Sequence, residues 1–150
     1  MQTNKDTSRW TNRNRMRGVT LMELMIVIVV IGILASIAVP SYRSYLLRAQ
    51  RTDAMSALLR VAAAQEKFYL QNNTYAATAL LDDAPPAGLG ISGTENGWYT
   101  LTISGADLTQ AFTATATAVA GGAQAADTHC ASFSLTSAGQ KTATNSDCWR

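Results

Sequence analysis

The sequence of 150 residues has little of what catalysis usually draws on. It holds one histidine, two cysteines and only 15% charged residues, against about 25% in a typical soluble domain. No glycine-rich phosphate loop occurs, and no group of His, Cys and carboxylates has the spacing of a metal centre. His129 stands directly beside Cys130, so in extended structure the two side chains diverge and cannot work as base and nucleophile. Asp82-Asp83 reads as a solvated loop pair rather than an acid–base or metal site. These scarcities exclude an enzyme, and neither a cofactor nor a metal is expected. The low charge, set against 47% hydrophobic residues, also excludes a disordered acidic or basic tail protein. What remains is room for one domain, or one domain plus an anchor.

The formal charge of +2 hides a gradient. Before Gly18 stand five basic residues (Lys5, Arg9, Arg13, Arg15, Arg17) and one acid, Asp6, giving +4. The rest carries seven basic and nine acidic side chains, or −2. Between the two lies Leu24 to Val39, sixteen residues without a charge. Extended to Tyr42 the uncharged run would be a helix about 28 Å long, which matches the hydrocarbon core of a bilayer. With the basic residues ahead of it, the N-terminus stays in the cytoplasm and everything after Val39 is exported. A cleaved signal peptide, with Ser36-Ile37-Ala38 as its small-residue site, and an ordinary single-span anchor fit the same pattern. Neither accounts for Glu23, an acid at the edge of the apolar run. Such a residue costs about 2.5–3.5 kcal/mol at a bilayer centre and somewhat less near the interface. In the first turn of a helix, the macrodipole favours that anion. If such helices pack side by side, its carboxylate can meet the α-amine of a neighbour and set the axial register. The alternative is a helix-end residue lying near headgroups.

Arg17-Gly18-Val19-Thr20-Leu21-Met22-Glu23-Leu24, with the apolar run and Pro40 behind it, resembles the class III signal of type IV pilins and type II secretion pseudopilins. The resemblance implies that a prepilin peptidase cuts after Gly18 and N-methylates Val19, where the family usually has Phe. It makes Glu23, with Thr20 and Leu21, the subunit-assembly segment, and implies local melting around Gly32 and Pro40 when a filament forms. Pro40 removes a backbone donor, and Gly32 is a second weak point, so a kinked single-span helix is the plainer alternative.

Beyond the bilayer the helix should continue. No Gly or Pro occurs from Tyr42 to Leu70, and Met55, Leu58, Leu59, Ala62 and Tyr69 recur at helical offsets as a stripe for the core. Gln71-Asn72-Asn73-Thr74 should end it, since Asn tolerates a left-handed cap. Asn72-Asn73-Thr74 also matches a glycosylation acceptor, although capping explains it better. Residues 76–97, with Pro85-Pro86 and four glycines, read as a loop containing a short helical turn at Ala77–Leu81. Alternation predicts strands at 98–103, 112–119 and 131–136, and Ser137-Ala138-Gly139 a turn into a fourth near 140–142. The fold class is therefore α+β, a long helix with an apolar N-terminal half packed on an antiparallel sheet of about four strands. The expected divisions are a leader at 1–18, the membrane and assembly half of the helix at 19–42, its amphipathic half at 43–71, a loop at 72–97, and the sheet with its C-terminal loop at 98–150.

Cys130 and Cys148, an even pair in an exported segment, read as a disulfide worth about 3 kcal/mol. A metal site is the alternative, but with His129 it lacks a fourth ligand. Gly139-x-Lys141 followed by Cys148-Trp149 resembles PilE-like minor pilins, which end in a Cys-bounded loop. The function so implied is a structural subunit of a surface filament, serving pilus biogenesis, twitching motility and adhesion. Its partners would be other pilin subunits, the prepilin peptidase, the inner-membrane assembly machinery, and the membrane itself before assembly. Two alternatives are a type II secretion pseudopilin and a DNA-uptake pilin. DNA is disfavoured as a partner, because after Ser41 seven basic side chains face eight acidic ones, and Lys141 and Arg150 are the only cations of the sheet half.

Overall fold

A computed structural model describes residues 18–149, so the leader expected at 1–18 lies, apart from Gly18, outside the described residues, as does Arg150. The chain divides into two units, one ending at Pro40 and the other running from Ser41 onward. A single helix, α1 (Leu21–Asn72), contributes to both. Four strands follow: β1 (Tyr99–Ser104), β2 (Thr113–Ala118), β3 (Ser132–Thr136) and β4 (Lys141–Ala143). They form one antiparallel sheet in the order β1-β2-β3-β4. The short helical turn expected at Ala77–Leu81 is a 3-10 turn at Thr78–Leu80, and two more lie at Ala123–Ala126 and Thr128–Cys130.

In the second unit, alternation along the strands sorts the faces. Tyr99, Leu101 and Ile103 are buried on β1, Ala114 and Ala116 on β2, Phe133 and Leu135 on β3. They share one core with Ala54, Ala57, Leu58, Val61 and Phe68 of the helix. This helical stripe coincides with the expected one only at Leu58. Leu59 is 51% exposed, while Met55, Ala62 and Tyr69 are only half-buried. The burial axis instead follows Gln50, Asp53, Ala54, Ala57, Leu58, Val61, Gln65 and Phe68. Small side chains decide this rotation, since Ala54 and Ala57 face the core beside the small Ala114 and Ala116, and close approach favours that side over the bulkier one.

Polar residues enter the stripe because they have partners. Gln65 acts as a surrogate strand: its Nε2 donates to the Ala76 carbonyl and its Oε1 accepts from the Ala76 N–H, both at 2.8 Å. The helix ends as expected. Asn73 takes φ 53° and its N–H donates to the Tyr69 carbonyl, while the Asn72 amide donates to the Phe68 carbonyl. Tyr75 then packs edge-on against Phe112, and Phe133 lies edge-on to both Tyr99 and Trp149. The outer edge of β1 is closed at two points by threonine hydroxyls, Thr94 at Tyr99 and Thr78 at Ile103.

Candidate functional site

In the first unit, the start of the helix is built by Thr20. Its hydroxyl accepts from the Glu23 N–H at 3.1 Å, and its carbonyl accepts from Leu24. This is the N-terminal half of a capping box, with Thr at the cap and Glu three residues on. The Thr-x-x-Glu spacing was legible in the sequence, and it gives Thr20 a physical task besides its place in the motif. Glu23 is exposed in the first turn, where the helix dipole favours its charge. Val19 is 71% exposed beside it, and Gly18 has no atom within 4 Å of where a Cβ would stand.

From Leu21 to Val39 the large apolar side chains all point outward, each about half exposed or more. This is a helix apolar all round that no described residue covers, which in water is unstable and in hydrocarbon is normal. It is long and apolar enough to cross a membrane. Ser36, the one hydroxyl in the run, donates back to the Ile33 carbonyl at 2.7 Å and so carries no unsatisfied donor. The helix is continuous through Gly32 and Pro40.

The second unit keeps its charges for internal use at one place. Arg51 donates from Nε (2.6 Å) and Nη2 (3.0 Å) to the two carboxylate oxygens of Asp127, whose side chain is only 4% exposed. Asp127 also receives Gln124 Nε2 and caps the Cys130 N–H, and Gln124 reaches the Leu47 carbonyl. The segment before the disulfide is thereby tied to the helix. Asp53, buried two residues further along, accepts from both the backbone N–H and the side-chain amide of Asn96. Burial pushes the Tyr99 hydroxyl up to about 12; Gln124 opposes this as a polar neighbour, although neither the hydroxyl nor Gln124 Oε1 has a partner in good hydrogen-bond geometry. Two hydrogen bonds from Thr109, through hydroxyl and N–H, hold Asp107 below the usual carboxylate range.

Cys130 and Cys148 are joined in a disulfide. That closes the metal alternative, since the thiolates that would bind an ion are consumed. His129 is not alone, as its position beside Cys130 had suggested. Its Nε2 lies 3.1 Å from Asp147, and Asn145 donates to its carbonyl at 2.6 Å, so the closed loop is also laced by polar contacts. Asp82 and Asp83 are exposed, as a solvated pair should be. Lys141 sits 5.3 Å over the Trp149 ring. The remaining exposed cations of the described head are Arg43, Arg48, Arg60 and Lys67; Arg51, counted among the helix cations, is engaged by Asp127. That pair spans 76 residues, and no local pattern announces it.

Comparison with known proteins adds to this geometry. Residues 40–134 match the family described as "Type IV minor pilin ComP, DNA uptake sequence receptor". Residues 13–39 match the prokaryotic N-terminal methylation motif. The fimbrial protein EcpC of Eikenella corrodens is 38% identical over 112 residues, covering 72% of this chain and 69% of that one. The type IV major pilin protein PilE1 of Neisseria gonorrhoeae is 39% identical over 79 residues, 49% of this chain; the chain spans less than half, 46%, of that relative. Among solved structures, a type IV pilin from Shewanella oneidensis aligns with a TM-score of 0.49 at 21% identity, over 69% of this chain and 98% of that one.

Proposed function

The chain belongs to the type IV pilins, a structural family anchored by an apolar N-terminal helix, and from that premise we propose that it is a minor pilin of a cell-surface pilus. In this reading it waits in the inner membrane as a prepilin, N-terminus in the cytoplasm and head in the periplasm. Prepilin peptidase cuts the Gly18–Val19 bond and methylates Val19, and the assembly machinery then moves the subunit into the filament that serves motility and adhesion. The observation that carries this is the contrast within one chain of an uncovered apolar helix and a self-sufficient, disulfide-closed head. Such a helix needs either lipid or other helices like itself.

Glu23 then supplies the counter-charge for the Val19 amine of a neighbouring subunit, and Thr20 fixes the turn from which it does so. Local melting at Gly32 and Pro40 lets the helices repack. The test is at Glu23. Leaving one buried charge unpaired costs about 3–5 kcal/mol. Glu23→Ala should therefore leave processed protein at normal levels in the membrane but deplete it from sheared filaments by two to three orders of magnitude, about what that penalty implies. Glu23→Gln keeps size and hydrogen bonding. Its entry into filaments at the wild-type level would sink the charge-pair mechanism.

A second reading, a DNA-uptake pilin, is favoured by one observation, the match of residues 40–134 to a family described as a DNA uptake sequence receptor. Among the described residues its affinity would draw on the exposed Arg43, Arg48, Arg60, Lys67 and Lys141, because Arg51 is engaged by Asp127. Binding of labelled duplex DNA by the purified chain at rising salt separates the readings. A DNA receptor shows a logarithmic slope of about −0.9 for each phosphate neutralised. A purely structural subunit shows no saturable binding at low salt.

A further inference from the structure

β1 is an edge strand, and its pairing with β2 alternates so that Trp98 accepts from Val119 on the inner side. The backbone groups of Tyr99, Leu101 and Ile103 therefore face outward, away from the sheet. Two of the three are bridged in the same way. The Thr94 hydroxyl accepts from the Tyr99 N–H and donates to the Tyr99 carbonyl, both at 3.3 Å. The Thr78 hydroxyl does the same at Ile103, at 2.7 and 2.8 Å. Leu101, between them, has no bridge from any described residue. It forms part of the wall of a cleft of about 380 Å³, where the exposed Asp82 and Ser92 add a carboxylate and a hydroxyl and Leu81 and Ile91 add apolar surface.

We propose that this cleft is a saccharide-binding site, in which one sugar hydroxyl makes at Leu101 the bridge that Thr94 and Thr78 make on either side. A hydroxyl is the group that donates and accepts at a single atom, which is what an extended residue's N–H and C=O together require. Further hydroxyls reach the Asp82 carboxylate and Ser92, and the C–H face of a pyranose covers the half-buried Ile91. The volume falls within the ordinary range for small-ligand sites, about 300–1,000 Å³. The two threonine plugs stop a peptide from pairing along β1, because strand addition needs several successive rungs. Asp82 disfavours a phosphate or another anion at the same place. The inference is independent of whether the head also binds DNA.

The test uses the full chain, 15N-labelled, in lauryldimethylamine oxide micelles, a detergent that carries no sugar. It is titrated with the methyl glycosides of glucose, galactose, mannose and N-acetylglucosamine. At least one should shift the Leu101 amide resonance saturably, with a Kd of about 1–10 mM. Asp82→Ala should raise that Kd about tenfold, the worth of a hydrogen bond to a charged group. Ser92→Trp, a change at an exposed position, should abolish the Leu101 shift and leave the other head resonances in place. No saturable shift at Leu101 with any of the four sugars, or a shift unchanged in both variants, would mean that the cleft holds ordered water only and would overturn the proposal.

Discussion

The apolar helix up to Pro40 and the head from Ser41 use nearly the same aliphatic vocabulary to opposite ends. In the first unit Ile, Val, Leu and Met point outward without exception along about 28 Å of helix, and no described residue of that unit is buried. In the second, alternation and helical spacing turn the same residue types inward around Phe133, Phe112 and Leu58. Polar groups are treated just as differently. The first unit keeps them at its start, with Thr20 and Glu23, and neutralises Ser36 against its own backbone. The head buries charge, but paired, as with Arg51 and Asp127. One region is specified by what surrounds it, the other by what it encloses.

Substitutions should respect that division, and the largest effect should fall on the head's enclosed charge. Asp127→Ala leaves the Arg51 guanidinium without its partner and strips the cap from the Cys130 N–H. It should cost about 3–5 kcal/mol, measured by thermal or denaturant unfolding of the head. Cys148→Ser opens the covalent loop and should lower head stability by roughly 2–5 kcal/mol under the same assay. Native protein in which both thiols react with an alkylating reagent would contradict the closed loop.

A subtler contrast lies in pH. Tyr99 titrates near 10 when unfolded and is pushed up to about 12 in the head, so the folded state favours its neutral form. Its contribution is fully present below pH 10 and is lost as the pH rises through 12, with a slope of up to about 1.4 kcal/mol per pH unit. Tyr99→Phe should flatten that alkaline limb. Asp107 has the opposite sign: held low by Thr109, it contributes above the ordinary carboxylate range and loses that contribution in acid. The smallest effect should come from the first unit. Ile28→Ala removes a large apolar side chain, yet the head's unfolding midpoint should not move, because Ile28 belongs to no core. A shift of several degrees would show that Ile28 does contribute to the stability of the head.

The N-terminal region was the easier to read, because its signal is local. An uncharged run, a basic approach to Gly18 and an acid at position 23 need no tertiary information. The strands were legible for a related reason: period-two alternation at Tyr99–Ile103 and Phe133–Leu135 records which face is dry. The helix stripe is legible only in part: Leu58 lies in the core, but Leu59 is exposed and Met55, Ala62 and Tyr69 are half-buried, because Ala54 and Ala57 mark the core by letting the backbone come close. Arg51 and Asp127 could not have been matched from sequence, since nothing in either neighbourhood names the other. The threonine plugs on β1 were hidden because Thr78, in the expected short turn, meets a partner distant in sequence, and Thr94 sits in a loop with no periodicity. Of the proposed assembly residues, only the Thr20–Glu23 relation had a structural signature in the sequence, the Thr-x-x-Glu cap.

The disulfide between Cys130 and Cys148 encloses β3, β4 and the turn between them, so most of the sheet's far side lies within a covalent ring. A protease that cuts anywhere between those cysteines produces two ends but no detached fragment. Both ends stay tethered next to their hydrogen-bonded neighbours, and the nicked strand can settle back into register. If the head is displayed outside the cell, as the proposed pilus requires, a single backbone break there becomes a tolerable lesion rather than the loss of the fold.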